Sequence, residues 1–489
     1  MHSIDLLNVL SEEEQDICYK QFRFFVDLCN ILPANSSRLH SYFVDCCLMP
    51  FGYIGGVNDV YACLKEVETT PESMYITISL VTPLMAFTDG FFFSYGDEYN
   101  RNIPQNFYSC IRQEYRPYYY EYTTEVYDED PLAKELLQHK IGVWFKARLA
   151  MTTSINGEYG IPGVLHFGGS EEFSSDVSLI LENKDIADAC DKLNEIYHVD
   201  LKVDKTGYSN YLSRNFNNSN SKFNVHVMNM GQANCIHITD TITKNTMFFD
   251  TGKPWRAYFD RKNKVSVHNT DYDPGSNLLK NLSRLKKYNP NCIVISHWHY
   301  DHFSAYTHLD YYKKNITWLV PWVSSEKEIT SACRLVKYLQ NKKTSHTVYC
   351  LDGEGLLYND SNGLQIWKGQ KTSDPNTGSI ILRIRNTLFP GDSLYRYWPD
   401  DLVDSLGSIS NLIVPHHGSS ISQSLAAYQR NVLVIHSFSN STDKNAYVSV
   451  GFNIYNHPNF DHLDDLGHKG FTNYITQYSN RNFYRFIIP

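Results

Sequence analysis

Residues 291–302 read NCIVISHWHYDH, and this stretch decides the fold of the chain. An apolar run over 292–296 has the composition of a strand buried on both faces. It runs straight into His297, His299, Asp301 and His302, four side chains able to bind metal within six positions. In an extended segment, side chains two apart share a side. His297 and His299 are therefore expected to address one metal ion, and the following turn directs Asp301 and His302 to a second. Imidazole and carboxylate are ligand types that suit Zn, Mn or Fe. A helix expected over 303–314 leaves the motif on a loop between strand and helix, the usual place for a site.

Further along the chain, two segments have what a binuclear site needs. Asp392 in LFPGDS ends a strand-like run at a Gly-Asp turn, where a carboxylate can bridge two ions. In LIVPHHGSS, His417 or its neighbour His416 ends another strand; His417 is preferred as the ligand, and Gly418 leaves room beside it. Upstream, Asp250 in FFDTG ends a third strand and is expected to orient a ligand by hydrogen bonding from behind. Strands over 316–322, 378–385, 411–415 and 432–438 and helices over 277–287 and 326–339 complete an α/β pattern of two sheets flanked by helices.

The order FFDTG, SHWHYDH, FPGDS, PHHGSS, SVGFNIYNHP resembles the metallo-β-lactamase fold, and most of all the hydrolase domain of the competence-type DNA-uptake (ComEC-like) proteins. The turn MNMGQANC is similar to that group's Gly-Gln-Gly-Asp turn, with Ala233 and Asn234 in place of the Gly and Asp. The resemblance covers about Phe223 to Pro489. It implies an αββα sandwich with metals at the sheet edges, two divalent ions (Zn or Mn), and substrates that are often phosphodiesters, DNA included. It also places His457 near the substrate. Two departures stand out. Only His308 and His346 intervene where many members carry another ligand to the first metal, and Ile413 stands where the competence-type group has a basic residue.

The 489 residues fit two domains, with 42% hydrophobic and 20% charged residues typical of a globular chain. A small polar run over 213–221 marks the expected boundary, giving domains 1–220 and 221–489. The first reads as α+β. It has a capped helix after Ser11 and Glu14, strands over 75–81, 91–95, 118–126 and 142–152, and a helix over 185–197. Its Tyr-rich stretch 115–122 reads as a strand with half-buried tyrosines; the other reading is a stacking platform. Eleven cysteines lack any CxxC pair, and the adjacent Cys46 and Cys47 do not make a zinc knuckle. No secretory signal is expected at the start, and the most apolar stretch, 74–95, is broken by Pro83 and Asp89-Gly90, so a cytoplasmic, non-membrane protein is expected.

A net charge of −9 excludes a generally basic nucleic-acid-binding body, so any such contact must be local or metal-assisted. Lys280, Arg284 and Lys287 share one helical face, read as solvated in preference to tracking a phosphate backbone. His226, His237 and His436 are expected in strands as core or surface residues. The leading expectation is a binuclear metal-dependent nuclease or phosphodiesterase that activates water for attack on phosphorus. Asp301 orients that water, and His416 and His457 stand beside the reacting groups. A nucleic-acid substrate follows, with a protein partner through the N-terminal domain if the chain is an effector of a bacterial defence system. The alternative is a hydrolase of a small phosphoester, cyclic nucleotide or other metabolite.

Overall fold

The computed structural model describes residues 58–69, 73–82, 85, 86, 89, 119–127, 130–150, 154, 155, 158–168, 173–182, 187–253, 274–285, 287–309, 315–323, 330–341, 346–370, 372, 376–441, 443–451, 457–479 and 481–489. The capped helix after Ser11, Cys46 and Cys47, the strand over 91–95, Tyr115, and the stretch 452–456 of the SVGFNIYNHP motif lie outside them. The chain forms two compact units, one of residues 1–200 with 323–344, the other of residues 201–322 with 345–489.

In the first unit, strands β1 (Asn58–Thr69), β2 (Met74–Val81), β3 (Tyr119–Val126), β4 (Trp144–Ala150), β7 (Ile161–Gly168) and β8 (Phe173–Leu181) close into a barrel in the order β1-β2-β3-β7-β8-β4. A two-stranded hairpin, β5 (Ser154–Ile155) with β6 (Glu158–Tyr159), stands apart from it. Closure removes the unpaired edges that an open six-stranded sheet would expose. Along β2 both faces are covered: Ile76, Ile78 and Leu80 alternate with Thr77 and Ser79, and all are buried. Tyr122 is fully buried and donates from Oη to the Ile161 carbonyl at 2.5 Å, which makes it a core residue and not a stacking surface.

The helix Thr330–Gln340, expected as part of the C-terminal domain, belongs to this first unit. Arg334 binds Asp89 through Nε at 2.7 Å and Nη2 at 3.0 Å, and Tyr197 Oη donates to the same carboxylate at 2.8 Å. Lys337 Nζ reaches the Ile196 carbonyl at 2.6 Å. Side-chain exposures of 2% and 1% for Arg334 and Asp89 make this a desolvated pair, whose value lies in the cost of breaking it.

In the second unit, the helix Lys205–Phe216 crosses into the polar run where composition suggested a break. Asp204 caps it by accepting from Gly207 N at 2.8 Å, and Tyr208, Leu212 and Phe216, four residues apart, sink into the core. Two seven-stranded sheets follow. The first runs β14 (Thr347–Leu351), β13 (Thr317–Pro321), β12 (Cys292–Val294), β11 (Thr246–Thr251), β10 (Cys235–Asp240), β9 (Phe223–Met228), β22 (Phe483–Ile488). The second runs β15 (Gly355–Asn359), β16 (Leu364–Lys368), β17 (Ile380–Ile384), β18 (Thr387–Phe389), β19 (Asn411–Ile413), β20 (Lys444–Val448), β21 (Phe471–Ile475).

The sheets pack face to face. Val225, Ile236, Phe249 and Val294 from the first meet Ile366, Leu382, Phe389 and Ile413 from the second in one buried cluster. On the far side of the second sheet, Ile381, Leu412, Ala446 and Val448 pack against Leu402, Ile435, Leu463 and Leu466 from three helices. On the far side of the first sheet lies the helix Pro274–Leu285, followed by Tyr288, whose ring packs on His237 and Phe248. The second unit is thus an αββα sandwich, the layering that the resemblance implies.

Two expected elements differ. Residues 432–438, read as a strand from their β-branched run, belong to the helix Leu425–His436. Ser424 caps that helix by accepting from Ala427 N at 3.1 Å, and Ile435 is buried while Leu433 is exposed, so the helical period wins over β propensity. His436 therefore closes a helix and is not a strand residue. Of the helix expected over 303–314, the described part is the end of a four-residue turn, Tyr300–Phe303, and a 3-10 helix over Ser304–His308, while 310–314 lie outside the described residues. Among the described residues no helix is long and apolar enough to cross a membrane.

Candidate metal centre

In the first sheet β11, β12 and β13 run parallel, and in the second so do β18, β19 and β20. The chemistry-bearing residues leave the C-terminal ends of these strands, the end at which open α/β sheets bind ligands. Asp250 is the penultimate residue of β11, Ser296 and His297 follow β12, and Asp392 follows β18 on the turn Pro390-Gly391. His416 and His417 follow β19 in a 3-10 turn.

Asp392 lies at the middle of the cluster. Its Oδ1 is 3.1 Å from His302 Nε2, and its Oδ2 is 4.0 Å from His297 Nε2, 3.9 Å from His417 Nε2 and 3.8 Å from His416 Nε2. Asp301 Oδ2 is 3.1 Å from His417 Nε2, and its Oδ1 is 3.8 Å from His302 Nε2. Two groups with metal-binding potential result, His297 with His302 and Asp392, and Asp301 with His302 and His417.

His297 Nε2, His302 Nε2, His417 Nε2 and Asp392 Oδ1 are all buried, and no hydrogen bond satisfies any of them although they crowd together. Leaving one such atom unsatisfied costs about 1–3 kcal/mol. Cations in the two groups would remove that cost for all four, so the donor set fits metal.

The grouping departs from simple alternation along the motif. The extended segment ends at Val294 and the chain bends over 296–298, so His297 and His299 are not aligned as neighbours on a strand. Instead His302 is common to both groups. The His299 ring stands edge-on to that of His297 at 4.6 Å, outside both groups. His308 and His346 also stand outside them; His346 Nδ1 accepts from Ile316 N at 3.3 Å. Of the two adjacent histidines, His417 is 1% exposed and in a group, whereas His416 is 27% exposed. The His416 ring centroid lies 5.7 Å from that of His457, which is partly buried.

Backbone strain concentrates here. Asp250, His416 and His417 have φ of 57°, 49° and 52°, and they are three of only five non-glycine residues with positive φ among those described. Each costs about 1–2 kcal/mol relative to ordinary backbone, and such strain persists where the surroundings enforce it. Gly391 (φ 57°) is required by packing as well: a Cβ there would lie 2.6 Å from Ser296 Cβ.

Behind the cluster, Asp250 accepts from Ser296 N at 2.7 Å, from Ser296 Oγ at 2.8 Å and from His302 Nδ1 at 2.8 Å. Asp250 thus sits where the sequence suggested, and fixes the His302 tautomer with Nε2 turned toward Asp392. Ser296 was not foreseen, although the SHWHYDH motif contains it. His462, fully buried, is another residue that sequence reasoning missed. It donates from Nδ1 to the Ser419 carbonyl at 2.9 Å and accepts from Tyr395 Oη at 2.8 Å, bracing the end of the His416-His417 turn.

Charges and burial oppose one another in the centre. Burial alone would raise the Asp392 carboxyl, but His302, His417 and His416 hold it well below the usual carboxylate range. Burial alone would lower His302, but Asp392, Asp250 and Asp301 carry it well above its ordinary value. His297 lies well below its own, through burial and the neighbouring His302 and His299. Burial, with His416 and His417, pushes His457 down to about 3.

No family model matches the sequence. No curated protein matches it either. Among solved structures it is similar to a mutant of the CmlA beta-hydroxylase, at 12% identity over 67% of this chain and 69% of that one, with a TM-score of 0.30. It is also similar to a protein of unknown function from Enterococcus faecalis V583, at 12% identity over 40% of this chain and 49% of that one, with a TM-score of 0.24. Likenesses of this depth carry no chemistry across, so the case for a metal centre rests on the chain's own geometry.

Proposed function

We propose that this chain is a binuclear metal-dependent hydrolase of phosphodiesters, with nucleic acid as its substrate and Zn or Mn as its ions. The observation that carries the reading is Asp392. Its carboxylate lies 3.1–4.0 Å from the Nε2 atoms of His302, His417 and His297, where it would help hold ions in the centre. The order of motifs, which is similar to that of the competence-type hydrolases, supports the phosphodiester class.

Ions held by His297, His302 and Asp392 and by Asp301, His302 and His417 would supply an acidified water near neutral pH and stabilise negative charge on the substrate. The side chains divide the remaining work. Asp301 holds its carboxylate against His417 and orients the attacking water. Asp392 keeps the two halves of the centre at a fixed spacing. His416 and His457 stand on the more open side; His457 is neutral at pH 7 and acts as a hydrogen-bond partner to a phosphate oxygen instead of a proton source.

Ile413 no longer argues against nucleic acid. Its side chain is 1% exposed in the core between the sheets, so this position offers nothing to a substrate whatever its charge. Arg284 does not support a phosphate track, because its guanidinium lies 5.7 Å from the centre of the Phe483 ring and bonds Asn281 Oδ1. The net charge of −9 favours the second reading, a small phosphoester or cyclic nucleotide, and the same assay separates the two.

The experiment is metal content together with cleavage of single- and double-stranded DNA and RNA and of an aryl phosphodiester, under added Zn or Mn. Wild type is compared with Asp301→Ala and Asp392→Asn. Polynucleotide cleavage lost in both variants supports the reading; cleavage of the aryl ester alone moves the substrate to a small molecule. Two bound ions with no cleavage of any phosphodiester refutes it.

A further inference from the structure

His302, common to both metal-binding groups, and His417, which belongs to one of them, are braced by different parts of the chain. Asp250 in β11 and Ser296 just beyond β12 stand behind His302. Behind His417 the bracing passes from one sheet to the other. His417 Nδ1 donates to the Ser449 carbonyl at 2.7 Å, and Ser449 Oγ donates to the Ala233 carbonyl at 2.6 Å. The next residue, Asn234, donates its backbone N–H to the Asp301 carbonyl at 3.0 Å and accepts from Gly252 N at 2.7 Å. Asp301 Oδ2 then returns to His417 Nε2 at 3.1 Å, which closes a ring.

Ser449 follows β20 in the second sheet, and Ala233-Asn234 leads into β10 in the first, so this ring spans the sandwich. Its members are shielded: Ser449, Ala233 and Asn234 are 1%, 0% and 1% exposed. The two segments are also in direct backbone contact, since a Cβ on Gly451 would lie 2.4 Å from Gly231 Cα. A hydroxyl-to-carbonyl bond in a site closed to water has no solvent to replace it.

From this ring we infer that Ser449 is a positioning residue for the Asp301–His302–His417 group, setting metal affinity there and not in the His297–His302–Asp392 group. The inference rests on the reading of both groups as metal sites. Ser449 touches no ligand atom with its hydroxyl. It holds its own carbonyl, and so the His417 ring, at the place that Asp301 requires.

The test is a Zn(II) titration of metal-stripped full chain, followed by calorimetry and repeated with Co(II) for its visible spectrum. Ser449→Ala keeps the carbonyl that His417 uses and loses only the anchor. The second equivalent is expected to bind about 10–100-fold more weakly, with the first unchanged, the loss typical of removing an outer partner of a ligand. Ser449→Thr, which keeps the hydroxyl, is expected to restore the second equivalent and its Co(II) bands. Wild-type affinity for the second equivalent in Ser449→Ala, or equal weakening of both, overturns the inference.

If Ser449→Ala fails to fold, hydrogen exchange in the wild-type chain decides. The Asn234 amide should gain protection when the second equivalent binds, and unchanged exchange there overturns the inference. A wild type that binds two ions but cleaves no phosphodiester refutes the proposed activity and leaves this test standing. A wild type with no second equivalent refutes the inference itself.

Discussion

Replacing Asp250 by Asn removes one charge from behind the centre while leaving shape and backbone in place. Asp250 has φ of 57°, a conformation Asn tolerates, so the substitution adds little backbone cost. The new amide oxygen can still accept from Ser296 N, and the Ser296 hydroxyl can rotate to accept from the new NH2. His302 is the residue that loses, because its Nδ1–H, 2.8 Å from the carboxylate, then faces a donor or a neutral acceptor, and a partner at Nδ1 is regained only by moving the proton to Nε2, the atom needed for metal. Losing one buried hydrogen bond to a charged group costs about 1.5–3 kcal/mol, so the metal-free second unit should lose roughly 2 kcal/mol of stability. His302 also loses the partner that fixes its tautomer, and affinity for Zn(II) should fall by about 10–100-fold. The assays are urea unfolding of metal-stripped protein, followed by tryptophan fluorescence, and Zn(II) titration against a competing chelator. Stability within about 0.5 kcal/mol of wild type, together with unchanged Zn(II) affinity, would refute the assignment of Asp250 as the brace of His302.

Other outcomes follow from single features. Asp392→Asn should lower metal content from two ions per chain to one or none, measured by elemental analysis after dialysis. His237, 4% exposed, is pushed down to about 3, mainly by burial, so it stays neutral in the folded chain while the unfolded chain takes up a proton below about 6.5. Its contribution to stability is complete above that value and declines as pH falls toward 3. His237→Phe should therefore flatten the acid side of the stability profile by up to about 1.4 kcal/mol per pH unit, and an unchanged slope would contradict this. Arg334→Met should cost the first unit about 3–5 kcal/mol by taking the guanidinium away from the buried Asp89 carboxylate, and adding Asp89→Leu should recover much of it in a thermal melt. Leu382→Ala, at a fully buried position between the sheets, should cost about 2–5 kcal/mol in urea unfolding.

Much of the centre was legible because its residues sit where strands end. HWHYDH after an apolar run, Asp392 after FPG and His417 after a strand can each be placed by local pattern alone, and the structure brings them within reach of one another. The partition among them was not legible. It depends on the bend over 296–298, a tertiary matter, so alternation paired His297 with His299 where the fold pairs His297 with His302 and Asp392. Ser449, Ser296 and His462 escaped notice for a related reason: a hydroxyl or a lone imidazole has no spacing rule, and the partners are 43 to 216 positions away in sequence, from His462 with Ser419 to Ser449 with Ala233. The strand expected over 432–438 failed because β propensity was weighed without Ser424, whose cap starts a helix eight residues earlier. The barrel stayed hidden because closure is a property of register between β1 and β4, which no single strand records.

The helix Thr330–Gln340 is borrowed from the middle of one unit to complete the other, and this affects the order in which the protein can be made. A ribosome delivers residues 1–200 first, yet the Asp89 carboxylate has to wait for Arg334, which emerges only after β9 to β13 have appeared. Until then the first unit lacks the guanidinium that Asp89 meets in the finished fold, and its apolar surface awaits Leu335, Val336 and Leu339. The first unit therefore cannot be completed until residues 323–344 have been made, partway through synthesis of the second. Cutting the gene at the apparent linker would leave a donor fragment with a stranded apolar helix and a recipient lacking its cation. A clean dissection has to graft residues 323–344 onto the first unit and bridge β13 to β14 with a short loop.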